Sequence, residues 1–204
     1  MLRVGSSVTV GTCLMPGYVK RFHSMYPKIK VQVAIDNSAV IEKKVLENRL
    51  DFALIEGIVH SDRKIAQKFL RDELVLVCGA NSAFSKKTEV SPDELTGLPF
   101  LLREKGSGTR ELFDSTLLSK GIAVTPEWES ISTEAIIQAV SCGLGGSVLP
   151  FRLVEQELAR KSLNTMEIRG LDFKRYFSVI YHKDKHLSKS ASAFLRMIRQ
   201  KRNL

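Results

Sequence analysis

The hydrophobic period switches between that of a strand and that of a helix from one end of the chain to the other, and this alternation limits the fold more than any other feature. Residues 2–5 form a short apolar run; residues 11–25 then carry Leu14, Val19, Phe22 and Met25 at helical spacing up to Pro27. Ile29, Val31, Val33 and Ile35 alternate as a strand does, and Ser38 is positioned to cap a helix carrying Val40, Ile41, Val45 and Leu46. A continuous apolar strand is expected over 52–55, and two more over 65–70 and 74–78, joined by Arg71-Asp72-Glu73.

The second half continues in the same way. Ser91-Pro92-Asp93-Glu94 has the form of a capping box closed by Gly97. Strands are expected over 100–103, 128–131, 147–149, 165–168 and 176–181, with helices over 110–120, from Ser132 or Thr133 to Gly143, and over 151–161. A last amphipathic helix over 188–202 turns Phe194, Leu195 and Ile198 inward and a basic face outward. Repeated βα alternation implies an α/β fold with helices on both faces of its sheets. The small, polar stretch 79–88 is the expected boundary between two parts of the chain.

The 204 residues suffice for one large domain or two small lobes. No run of about 18 apolar residues occurs, so no membrane span or membrane partner is expected. The N-terminus lacks the pattern of a signal peptide, which points to the cytoplasm. Cys13, Cys78 and Cys142 form no C-x-x-C pair and stand among apolar residues, as buried free thiols in a reducing compartment do. The net charge of +9 is uneven: 12 Lys/Arg against 8 Asp/Glu over 1–80, 12 against 13 over 81–180, and 7 against 1 over 181–204. The basic excess therefore gathers in the tail, where it reads first as a solvated helix face.

Three loops share a design in which a strand leads through Ser, Thr or Gly into a helix. They are Ser6-Ser7-Val8-Thr9, Gly106-Ser107-Gly108-Thr109-Arg110, and Ser130-Ile131-Ser132-Thr133. Exposed N–H groups and the positive helix end favour an anion at such places, hydroxyls add donors, and Arg110 offers a planar fork to a carboxylate or sulfate. The first and third loops also read as ordinary helix caps, whereas in the second two glycines flanking a serine let a backbone approach something closely; Arg110 reads equally as one half of a structural ion pair. Glu56 and His60 follow a strand, where they can face a cleft; Glu56 reads as well as a solvated strand end. His23 is expected to pack on its helix, His182 and His186 to be exposed, and Trp128 to be core. Zinc, Walker, nucleophile-elbow and dinucleotide motifs are all missing, so no catalytic residue, metal or cofactor is expected. A Glu104–His60 pair is the one acid/base combination left open.

These features in this order resemble the C-terminal effector-binding domain of LysR-type transcriptional regulators over essentially the whole chain. The resemblance is carried by Leu2-Arg3-Val4-Gly5-Ser6-Ser7, Phe22-His23-Ser24-Met25-Tyr26-Pro27, Leu50-Asp51-Phe52-Ala53-Leu54-Ile55-Glu56-Gly57 and Leu98-Pro99-Phe100-Leu101-Leu102-Arg103-Glu104-Lys105-Gly106-Ser107-Gly108-Thr109-Arg110. Glu134-Ala135-Ile136, Val140 and Gly143-Leu144-Gly145-Gly146-Ser147-Val148-Leu149-Pro150 complete it. It implies a periplasmic-binding-protein-like fold of type 2, with two Rossmann-like lobes joined by two crossover segments. Lobe I would comprise 1–79 with 181–204, and lobe II 80–180. A small, anionic effector would lie in the inter-lobe cleft against Ser6, Ser7, Val8, Thr9, Gly106, Ser107, Gly108, Thr109, Arg110, Ser132 and Thr133. Such a domain is non-enzymatic and signals through the geometry of a homodimer or tetramer. The winged helix-turn-helix that begins family members is not among these residues, so DNA would be reached only through that missing part. The alternative within the same fold is the solute-binding protein of a transporter.

Overall fold

The computed structural model describes residues 1–57 and 61–199, and the chain divides into two units, Met1–Arg71 with Tyr176–Leu204, and Asp72–Arg175. In chain order, β1 (Leu2–Ser6), α1 (Val8–Cys13), α2 (Met15–Met25), β2 (Val31–Ile35), α3 (Ser38–Leu46) and β3 (Phe52–Glu56) build the first unit. Strand β4 (Lys64–Gly79) carries the chain into the second. There follow β5 (Glu89–Val90), a 3-10 turn (Asp93–Gly97), β6 (Leu101–Arg103), α4 (Gly108–Leu118), β7 (Trp128–Ser130) and α5 (Thr133–Ser141). Next come β8 (Gly146–Pro150), α6 (Phe151–Ala159) and β9 (Leu163–Ile168), before β10 (Lys174–His182) returns the chain to the first unit and α7 (Lys189–Arg199) closes it.

In the first unit β1 is central and pairs in parallel with β2 and β3, so that Val4 lies opposite Val33 on one side and Phe52 on the other. β10 pairs antiparallel with β3, bringing Val179 opposite Leu54. One face of this sheet packs on α1, α2 and α7, where the Phe194 ring lies 4.8 Å from Phe22 and 5.4 Å from Phe52. The other face buries Ile41 and Val45 of α3 against Ala53, Ile55 and Ile180. The tail helix buries Phe194, Leu195 and Ile198, as its period requires.

The second unit repeats the scheme. β8 and β9 flank β4, both antiparallel to it; β5 is parallel to β9, and β6 is parallel to β7. A parallel bridge from Phe100 to Gly146 links β6's approach to β8. Phe100, Phe113 and Phe173 stack through one core layer, and Ile136, Ile137 and Val140 of α5 fill another with Val77 and Leu149.

Several expectations need correction. The helix expected over 11–25 is two helices that break at Leu14, because Pro16 in the first turn of α2 cannot continue an earlier helix. Ser38 is not the cap of α3; the Asn37 side chain accepts from the Val40 N–H, while the Ser38 hydroxyl donates to the Glu56 carbonyl. The strands expected over 65–70 and 74–78 are one: Arg71 and Glu73 point outward and Asp72 inward, so the period of two passes through the charged triplet unbroken. The division of the chain accordingly falls inside β4 and β10, at 71/72 and 175/176, and not in the stretch 79–88 or at 180/181. Trp128 is 48% exposed on β7, and His23 is exposed. Of the cysteines only Cys78 is buried; Cys142 is exposed.

Candidate functional site

The sequence nominated residues at three helix starts, and each start acquires its own partners. In the first unit, Ser7 ends β1's turn into α1, and Ser6, Ser7 and Thr9 are fully buried. The Ser7 hydroxyl donates to Glu56 Oε2, and the Thr9 hydroxyl donates to Glu56 Oε1 at 3.0 Å. Ser6 donates to the Ser7 carbonyl, and Val8 opens the helix half-buried. Glu56 is therefore a buried carboxylate held by two hydroxyls at the end of β3, and not a solvated strand end. A negative charge already occupies the place where these hydroxyls send their protons, which argues against an anion on the same atoms. His60 lies outside the described residues.

In the second unit, β6 and β7 run side by side into α4 and α5, which sets Arg103, the 106–110 loop and Ser132–Thr133 at one end of the same strands. Gly106 adopts φ 90°, a left-handed conformation that glycine permits, and so turns the chain into α4. Ser107 is the N-cap, its Oγ accepting from the Thr109 N–H at 3.3 Å; Ser132 caps α5 by accepting from the Ala135 N–H at 3.2 Å. Ser107, Thr109 and Thr133 are buried, whereas Gly106 and Ser132 are exposed.

Of the two readings of Arg110, ligand fork or structural ion pair, its contacts favour the second. Its guanidinium donates to both Asp114 oxygens at 2.8 and 2.7 Å, to the Arg103 carbonyl at 3.1 Å and to Glu129 at 3.3 Å, so it ties α4 to β6 and β7. The i,i+4 spacing from Arg110 to Asp114 is the signal for that pairing.

Two arginines that were not among the expected site residues stand at the hydroxyls instead. Arg103, 2% exposed, donates through Nη1 to Thr133 Oγ1 at 2.9 Å and forks onto Glu104 at 2.8 and 3.0 Å. Arg175, 7% exposed, donates through Nη1 to Thr109 Oγ1 at 3.2 Å and through Nε to Asp72 at 2.7 Å. Arg152 approaches the other Asp72 oxygen at 3.5 Å. Glu104 is thus bound to a guanidinium and is not a free base. No group of three His, Cys, Asp or Glu fit for a metal occurs among the described residues. None of their helices is long and apolar enough to cross a membrane.

Residues 1–203 match the family model described as the LysR substrate binding domain. The chain is 34% identical over 194 residues to the "Uncharacterized HTH-type transcriptional regulator YeiE" of Escherichia coli K12, covering 95% of this chain and 66% of that protein. It is 33% identical over 199 residues to the "Probable RuBisCO transcriptional regulator" of Cyanidium caldarium, covering 95% of this chain and 63% of that protein. The chain therefore spans less than two thirds of the length of these relatives. Among solved structures, it is similar to the regulatory domain of CcmR from Synechocystis PCC6803 in complex with 2-PG, with a TM-score of 0.90 and 27% identity over 100% of this chain and 98% of the other.

Proposed function

The chain belongs to the family of LysR substrate binding domains, and on that footing we propose that it is the effector-sensing part of a transcriptional regulator, taking up a small anionic metabolite. Signalling then runs through the geometry of a dimer or tetramer whose states bind the effector unequally. DNA contact belongs to the part of the regulator outside the matched residues, and the place of action is the cytoplasm. The regulator reading assigns the chain no catalysis, and Glu56, Glu104 and Asp72 are engaged by hydroxyls or guanidiniums.

One observation carries the anionic assignment. In the second unit the buried hydroxyls Ser107, Thr109 and Thr133 stand with the buried guanidiniums of Arg103 and Arg175, whereas in the first unit Ser7 and Thr9 face the Glu56 carboxylate. The anionic part of the effector is therefore assigned to Ser107, Gly108, Thr109 and Thr133, with Gly106 and Ser132 at the exposed margin. Ser7 and Thr9, which face the Glu56 carboxylate, are not assigned to the anion, and Arg110 is assigned to holding the second unit together. The relatives support a regulator over the solute-binding protein of a transporter, since both matched proteins are named transcriptional regulators.

The test is thermal unfolding of the chain against 2-PG, inorganic phosphate, inorganic sulfate and small carboxylates. A ligand at about 100 times its Kd adds about 2.7 kcal/mol, a rise of some degrees in Tm for a chain of this size. The reading predicts such a rise for at least one anion, abolished by Thr109→Ala. A rise that survives both Thr109→Ala and Ser107→Ala would move the site elsewhere.

A further inference from the structure

The hydrogen bonds around the second unit's hydroxyls all run in one direction. A hydroxyl carries one proton and two lone pairs, and a guanidinium carries donors only. In the pairs Arg175–Thr109 and Arg103–Thr133 the threonine oxygen is therefore necessarily the acceptor. Ser107 Oγ likewise accepts, from the Thr109 N–H. Among the described residues no acceptor takes the proton of any of the three.

Both guanidiniums are fixed in place. Arg175 is held by Asp72, with side chains 4% and 1% exposed, and Arg103 is held by the fork onto Glu104. Each arginine's charge is matched by its carboxylate, so neither is the natural direct partner of an incoming anion. What each does is load a threonine oxygen from behind. A hydroxyl that accepts a charged N–H becomes a stronger donor, and its orientation is restricted to the remaining directions.

We propose that Arg103 and Arg175 are positioning residues that each occupy one lone pair of Thr133 Oγ1 and Thr109 Oγ1 and so turn the hydroxyl proton outward as a donor, so that the site favours a group rich in acceptors: a carboxylate, phosphate or sulfate. This rests on the effector-binding reading above and deepens it. Arg175 stands 66 residues from Thr109 in the chain, and its guanidinium fixes how that hydroxyl points.

The experiment is calorimetric titration with 2-PG, inorganic phosphate and inorganic sulfate as probes. Two thermodynamic cycles are run: Thr109→Val, Arg175→Gln and the double variant, then Thr133→Val, Arg103→Gln and their double variant, each checked for folding by circular dichroism. Because each arginine acts through its threonine, each single variant should weaken the anion about tenfold or more, and each double variant should bind no more weakly than the threonine variant alone. Equal losses from the arginine substitution with and without the threonine hydroxyl would mean a merely structural arginine and would overturn the proposal. If Arg175→Gln does not fold, the Arg103–Thr133 cycle decides by the same criterion. If the unmodified chain binds none of the three anions and no small carboxylate raises its Tm, the effector-binding reading itself falls, an outcome distinct from a failed cycle.

Discussion

Removing the Arg175 guanidinium should reveal how strongly the second unit depends on a charge pair at its own chain entry and exit. Asp72 and Arg175 are the first and last residues of that unit, and their side chains are 1% and 4% exposed and 2.7 Å apart. Arg175→Met keeps most of the side-chain volume but leaves a buried carboxylate without its principal partner. Breaking one side of a buried pair costs about 3–5 kcal/mol. Arg152 stands 3.5 Å from the other Asp72 oxygen, and at 39% exposure it can take over part of the role, which places the expected loss at the lower end, about 3 kcal/mol. For a chain of this size that corresponds to a fall in Tm of about 6–12 °C. Urea unfolding measures the same loss as a shift of midpoint. Arg175→Met combined with Asp72→Leu removes both charges, and should recover most of the loss because no ion is then left buried. A single variant within about 1 kcal/mol of the parent would refute the buried pairing, and a double variant as weak as the single would show that packing, not orphaned charge, sets the cost.

Three further outcomes follow from the packing and charge of each unit. Phe194→Ala opens a cavity between Phe22 and Phe52 and should cost about 3–5 kcal/mol in urea unfolding; a loss below about 1 kcal/mol would mean that α7 is not seated as described. Gly79→Ala places a Cβ 2.5 Å from the Val140 carbonyl oxygen, a backbone atom that cannot swing aside, and should cost about 1–3 kcal/mol; an unchanged midpoint would contradict the close approach of β4 to α5. Burial raises the Asp51 pKa, but hydrogen bonds from the Arg3 N–H and Lys185, with the charges of Lys185 and Arg3, outweigh it and hold the carboxyl below its ordinary 3.8. A depressed folded pKa means that its stabilisation is complete above the ordinary value and fades as pH falls through the folded one. Asp51→Asn should therefore destabilise the chain near neutrality and flatten the acid limb of stability against pH, with no difference in slope as the contrary result.

The order of elements was legible because period and turn residues agree along the chain: Ser132 and Gly143 mark helix ends in the sequence and do so in the structure, while α4 begins at Gly108, two residues before the expected Arg110. Ser107, Thr109 and Thr133 were legible as candidates for the same local reason, as small polar residues between strand and helix, a pattern that helix caps share. Their partners were not. Arg175 lies within a strand and meets Thr109 only through tertiary packing, and Arg103 looks like the polar end of a short strand. Arg71-Asp72-Glu73 looks like a turn because three charges in a row suggest solvent, and only the buried partner of Asp72 makes a strand of it. Glu56 misled in the same way: a strand-end carboxylate looks solvated until Ser7 and Thr9 are folded onto it.

The most direct test of effector binding is a crystal structure of the chain grown with whichever of 2-PG, phosphate or sulfate raises its Tm. The prediction is an acceptor oxygen of the ligand within about 2.5–3.0 Å of Thr109 Oγ1 or Thr133 Oγ1, with Arg175 and Arg103 still donating to those threonines from behind. A ligand bound directly by the Arg175 and Arg103 guanidiniums, or bound without touching Ser107, Thr109 or Thr133, would contradict it.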